Sequence, residues 1–243
     1  MRVVKIGLLV TGKGEASFLP DFLRGLCTPE SGGARCVFHV IGRVEQLSPL
    51  IEGSRKSLRM IGKGGGLSRR DEQIGLLARG FLTAAPSGFV ILVDDLEESR
   101  RPVASQVFQR YRSILDSMLG IAKARASVHF LVNMIEAYYF ADPDAVRAVL
   151  KLELEPPEGD VEEIRHPKGL LKQSFHEFDE IEHGRLIARQ INLERVLAHP
   201  ERTRSLRSLV AWCSNALGRA PTDRYQLRSG LQYELTSQQT IAD

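Results

Sequence analysis

Five carboxylates stand where apolar runs of the chain break off. Val3 to Val10 runs into Thr11-Gly12, with Glu15 just beyond. Phe89 to Val93 stops at Asp94-Asp95, and Glu97 follows. Ser127 to Val132 precedes Glu136. Each apolar run reads as a buried strand. In an open parallel sheet, ligands bind outside the carboxyl ends of the strands. Carboxylates gathered there repel one another unless a cation holds them. Hard oxygen donors with few histidines nearby suit Mg²⁺ or Mn²⁺ better than zinc. Each acid also has a plainer use: Glu15 in a first helical turn, Asp94 and Asp95 as caps, Glu136 paired with an arginine.

Other motifs fall short. Gly12-Lys13-Gly14-Glu15 follows a strand and opens a helix, where phosphate binding is natural, but the P-loop spacing is absent. As a dinucleotide fingerprint it carries Ser17 in place of the third glycine, and the second strand ends at Ile41-Gly42 without an acid for a ribose. His176-Glu177 is followed by His183, too far on for a zincin, and there is no GxSxG elbow.

The elements that must position these residues alternate. After the first strand, Phe18, Leu19, Phe22, Leu23 and Leu26 mark a helix face, with Pro20 expected in its first turn. Cys36 to Ile41 is a second strand, and Gly62 to Gly66 a glycine-rich loop. Ser68 caps a helix reaching about Ala84. Ser99 begins a long helix with Val103, Val107, Tyr111, Ile114 and Met118 on its buried stripe. Asn133 to Phe140 and Pro143 to Leu150 read as helices. The alternation predicts an α/β fold with a mostly parallel sheet flanked by helices. It also suggests an α/β core over 1–152, an acidic, proline-bearing surface linker over 153–163, a helical part over 164–217 and a polar tail over 218–243. Gly218 is placed to stop the helix through Leu206, Leu209, Val210, Cys213 and Leu217.

The chain has 243 residues, 43% of them hydrophobic and 26% charged, enough for a sizeable core. Its formal net charge of +3 is too small to imply a polyanion partner by itself. Three widely spaced cysteines without a CxxC pair argue against a zinc ribbon and for reduced thiols. The start lacks the pattern of a signal peptide, and no apolar run approaches the roughly 20 residues of a membrane span, so a cytoplasmic location is expected.

The arrangement resembles a Toprim domain, in which a glutamate follows the first strand and a DxD pair follows the third. Glu15 matches the glutamate and Asp94 the first aspartate; Leu96 stands where the second belongs, and Asp95-Leu96-Glu97 restores the spacing one residue on. A closer resemblance is to the bacterial Toprim-like domain-of-unknown-function family 4276. It is carried by Gly14-Glu15 with Phe18-Leu19, by Ile91 to Asp94, by Ile135 to Pro143, by His166-Pro167-Lys168 and by His183 to Ala188.

The resemblance implies a metal-dependent nuclease related to Toprim and OLD-type enzymes, with an ATPase partner in a defence system. Glu15 would be a general base or metal ligand, and Asp94, with Asp95 or Glu97, would hold Mg²⁺ or Mn²⁺, joined by Glu136. Lys13, Arg69, Arg70, His166, Lys168 and His183 are the candidates for phosphate contact on DNA or RNA. Two alternatives stand beside this reading: a non-catalytic partner or sensor subunit of an ATPase complex, and a nucleotide-binding protein built on Gly12 and Gly14.

Overall fold

The computed structural model describes residues 3–27, 35–46, 68–155, 158–199 and 201–218. The expected glycine-rich loop at 62–66 and the tail from 219 on lie outside them. Four strands, β1 (Val3–Val10), β2 (Arg35–Arg43), β3 (Phe89–Leu96) and β4 (Ala126–Val132), form one sheet in the order β2-β1-β3-β4. Every pairing is parallel, so all four carboxyl ends lie along one edge. The β1–β2 register slips between Leu8 and Leu9, which pair with Val40 and Gly42.

Parallel strands need long crossovers, and helices supply them. On one face, α2 (Arg69–Ala84) and α3 (Ala104–Leu119) pack on Leu9, Val90, Leu92, Leu96, Val128 and Phe130. The other face, with Val4, Ile6, Leu8, Ile91 and Val93, is covered by α1 (Lys13–Phe22) and by helices from later in the chain. These are α4 (Pro143–Leu150), α5 (Pro167–Ser174), α6 (Glu182–Gln190), α7 (Leu193–Leu197) and α8 (Arg204–Ala216). The protein is thus an α/β domain with a parallel sheet flanked by helices and with further C-terminal helices. Side chains alternate across a strand, so Ile91, Val93 and Asp95 face α1, while Val90, Leu92 and Asp94 face α3.

Several local expectations hold for visible reasons. Ser68 accepts from the Asp71 N–H, and Asp71 accepts from the Ser68 N–H, a complete capping box. Gly218 adopts φ of 71°, the left-handed geometry that stops α8. Others are corrected. Helix α1 begins at Lys13, so Pro20 falls in its last turn, and a 3₁₀ turn follows at Leu23–Cys27. The helix expected from Ser99 opens instead as a 3₁₀ turn, Glu98–Val103, containing Pro102; Asn133 to Phe140 likewise gives a 3₁₀ turn, Ile135–Ala141. Cys36 is disulfide-bonded rather than reduced, while Cys213 is free and buried. Val161 and Glu162, expected in a surface linker, are buried.

The C-terminal helices are fastened to the sheet. Trp212 of α8 meets Phe89 and His129 edge-on, with ring centroids 5.8 and 6.0 Å away. His129 donates or accepts one hydrogen bond with Ser127 Oγ, and burial pushes its pKa down to about 3, so it is neutral. Glu162 accepts from Tyr138 Oη, from Ser205 N–H and from Ser205 Oγ, tying α8 to the segment after β4. Asp142 makes no cap bond to α4; it accepts instead from Asn192 N–H and Arg195.

Candidate functional site

At the carboxyl edge the chain leaves β1 through Thr11-Gly12 and enters α1, placing Glu15 in the first helical turn with its side chain buried. A side chain on Gly12 would put its Cβ 1.7 Å from Glu15 Oε2, so the carboxylate rests in space only glycine leaves open. Burial raises the Glu15 pKa; hydrogen bonds from its own and the Gly12 backbone oppose the rise, and the Asp94 charge adds to it.

Thr11 joins this turn to the end of β3. Its hydroxyl donates to Asp94 Oδ1 at 3.0 Å and accepts from the Asp95 N–H at 3.2 Å. Asp94, fully buried, is forked by Arg100: Nη1 to Oδ1 at 3.0 Å and Nη2 to Oδ2 at 2.6 Å. Arg100 and Gln46 also donate to the Asp95 carbonyl.

Asp95 differs from its neighbour. It is buried, and its Oδ1 has no hydrogen-bond partner. Burial holds its pKa well above the usual carboxylate range, and the charges of Glu15, Glu136, Asp94 and Glu97 raise it further. Glu136, buried in the turn after β4, is raised by burial and by Glu15; the cation of Lys168 pulls it back. Glu97 is exposed at the lip. The structure therefore brings Glu15, Asp95, Glu97 and Glu136 within electrostatic reach of one another near one buried oxygen, with Asp94 already paired to Arg100. No group of three or more His, Cys, Asp and Glu side chains among the described residues meets the arrangement of a formed metal site.

The predicted cations divide. Lys168 forms an ion pair with Glu180 beside Glu136. Lys13 is exposed at the start of α1. Arg69 and Arg70 open α2, and Arg70 pairs with Glu45 at 2.8 Å on the surface. His183 stacks on Phe178 and meets Phe175 edge-on; its Nδ1 accepts from the Asp179 N–H, which gives it a place in the packing of that turn. His166 borders a cleft of about 510 Å³ between the Glu97–Ser99 turn, the pair Asn133-Met134, and Pro167.

Sequence reasoning missed two participants. Arg100 lies six residues past Asp94, within reach across the β3 turn; the doublet Arg100-Arg101 was its only signal. Tyr139 is buried beside the acids, and burial, Glu136 and Glu15 all raise its pKa. Its hydroxyl donates to the Gly184 carbonyl, bracing α6 against the site. No sequence pattern distinguishes it from a core tyrosine.

Residues 10–210 match the family described as Domain of unknown function (DUF4276). The chain belongs to this family. The DUF4276 span begins at the last residue of β1 and ends within α8, and so contains all five carboxylates and Arg100. No curated protein and no solved structure matches the chain. No helix among the described residues is long and apolar enough to cross a membrane.

Proposed function

We propose that the protein is a Toprim-like, Mg²⁺- or Mn²⁺-dependent phosphodiester hydrolase acting on nucleic acid. The observation that carries this reading is the Asp95 Oδ1 atom, buried and without a partner among Glu15, Glu97 and Glu136. A buried polar atom of this kind calls for an explanation, and a hard divalent cation would answer both the missing partner and the repulsion from four neighbouring carboxylates. Asp95, Glu15, Glu136 and Glu97 would hold the ion; Asp94 is engaged by Arg100 and serves to orient the strand end. Asp95 and Glu97, the acidic pair of Asp95-Leu96-Glu97, stand one residue on from the Toprim register, and the charges of Glu15 and Glu97 both reach Asp95.

A bound ion supplies charge neutralisation and polarisation of the scissile phosphate. The chain's own groups do the rest. Glu15 either joins the ligands of the ion or takes the proton of the attacking water, a role for which burial raises its proton affinity. Lys13 and Lys168 bring positive charge to a phosphate that the carboxylates alone would repel. The test is cleavage of single- and double-stranded DNA and RNA with Mn²⁺, comparing the parent with Glu15→Gln and Asp95→Asn. Metal-dependent cleavage lost in both variants supports the reading; cleavage equal in all three overturns it.

A second reading, a non-catalytic partner of an ATPase, is favoured by one observation: the described residues contain no ready-made three-ligand group. It requires that millimolar Mn²⁺ leave the melting temperature unchanged, whereas an ion site raises it by mass action.

A further inference from the structure

The cleft beside the carboxylates is shaped by backbone that resists being so shaped. Among the described residues, non-glycine positive φ occurs at Asn133, Met134, Lys151 and His166, and three of these four border the cleft. Met134, with φ of 75° and ψ of 160°, occupies a region that is essentially glycine's alone. It is kept there by its surroundings. The Asn133 N–H donates to the Leu96 carbonyl at 3.1 Å, Asn133 Nδ2 to the Glu162 carbonyl at 2.7 Å, and the Ala137 N–H to the Met134 carbonyl at 3.2 Å. A glycine would sit at Met134 with less strain.

The cleft's lining is mixed. Apolar Met134 and Pro167 share it with Asn133, His166 and the acidic turn Glu97, Glu98 and Ser99, whose Glu98 also meets Arg165 at 3.2 Å. A volume near 510 Å³ is that of a small-molecule site rather than of a single phosphate. Carboxylates at the wall disfavour a phosphate and accept from neutral donors such as sugar hydroxyls and ring amino groups. A polarisable thioether is a good surface for an aromatic ring. Glu97 belongs both to this cleft and to the charges acting on Asp95, so the two places are adjoining.

We propose that this cleft seats a nucleoside, its base against Met134 and Pro167 and its hydroxyl or amino donors on Glu97, Glu98 and Ser99. The inference rests on the phosphodiesterase reading for its substrate: the seated nucleoside is the one next to the scissile phosphate, which would lie past Glu97. The test uses the full chain and adenosine, without phosphate or metal, so that it does not depend on the carboxylate site. In equilibrium dialysis with chelator present, adenosine binds the parent, while Met134→Gly and Ser99→Trp each weaken binding at least tenfold. The first removes an apolar lining side chain and the second fills the cleft with an indole. Met134→Gly keeps or raises the melting temperature, because it relieves the backbone; should it fall, Ser99→Trp alone decides. No binding by the parent, or undiminished binding by Ser99→Trp, overturns the proposal. Failure of the carboxylate reading shows separately, as a parent melting temperature that Mn²⁺ does not move.

Discussion

Arg100 closes both oxygens of Asp94, at 3.0 and 2.6 Å, while the next carboxylate along the strand, Asp95, keeps a buried oxygen with no partner. The two aspartates therefore answer the same substitution in opposite ways. Asp94→Asn removes the charge that balances a largely buried guanidinium and breaks its two-pronged pairing, and should cost on the order of 3 kcal/mol of stability. Asp95→Asn removes a charge from a crowded site and should leave stability unchanged or raised. Chemical denaturation without metal measures both. With Mn²⁺, the rise in melting temperature should persist in Asp94→Asn and vanish in Asp95→Asn; the reverse pattern would return the ligand role to Asp94.

Glu15 offers a test of position apart from charge. Glu15→Gln should stabilise the metal-free protein, since its pKa is raised by burial, and should abolish the Mn²⁺ effect. Gly12→Ala retains every carboxylate yet places a methyl where Glu15 Oε2 now lies. It too should lose the Mn²⁺ effect, read by the same melting series. A normal response in Gly12→Ala would mean that the seat of Glu15 is irrelevant to the ion.

These two residues also show what the sequence could and could not reveal. The parallel sheet, its strand ends and the acids on them follow from apolar runs bounded by turns, a local pattern that survives folding. Which of two adjacent aspartates faces Glu15 depends on which side of the sheet each helix packs, and that is a non-local outcome. Arg100 was visible only as half of a doublet, and Tyr139 looks like any core aromatic. The burial of Val161 and Glu162 defeated a composition argument: charged, proline-bearing sequence suggests solvent, but Tyr138 and Ser205 supply the bonds that let Glu162 enter the core.

Glu162 yields a pH prediction. Burial, then the charge of Asp160, raises its pKa from 4.5 to about 8. The folded state thus holds a proton that the unfolded chain releases above about pH 4.5. The stability this proton confers is fully present below pH 4.5 and is lost as pH rises to about 8, a change on the order of a few kcal/mol. In Glu162→Gln the amide cannot ionise, so this slope disappears. Unfolding measured from pH 5 to 9 should show the variant gaining on the parent as pH rises; parallel curves would contradict the assignment.

Lys168 is the cation whose charge reaches Glu136. Lys168→Ala should weaken nucleic-acid binding and reduce the slope of log affinity against log salt by about 0.9 on duplex or about 0.7 on single strands, the loss of one phosphate contact. It should also raise the Glu136 pKa, since the opposing cation is gone. A salt series on the parent and variant with identical slopes would leave Lys168 to its ion pair with Glu180.

The core on the α1 face joins Val4 and Ile6, from the first strand, to Leu206, Leu209 and Cys213, from the last helix. During synthesis the ribosome delivers these partners some 200 residues apart. The sheet's strands and α1 emerge early, yet this core lacks its last members until α8 appears, and contacts so distant in sequence form slowly because loop closure comes before any gain. Folding of this face is therefore a late event in the life of the nascent chain. Chains interrupted before α8 would leave Phe89 and His129 without Trp212 and this core unfinished, as substrates for chaperones or proteases.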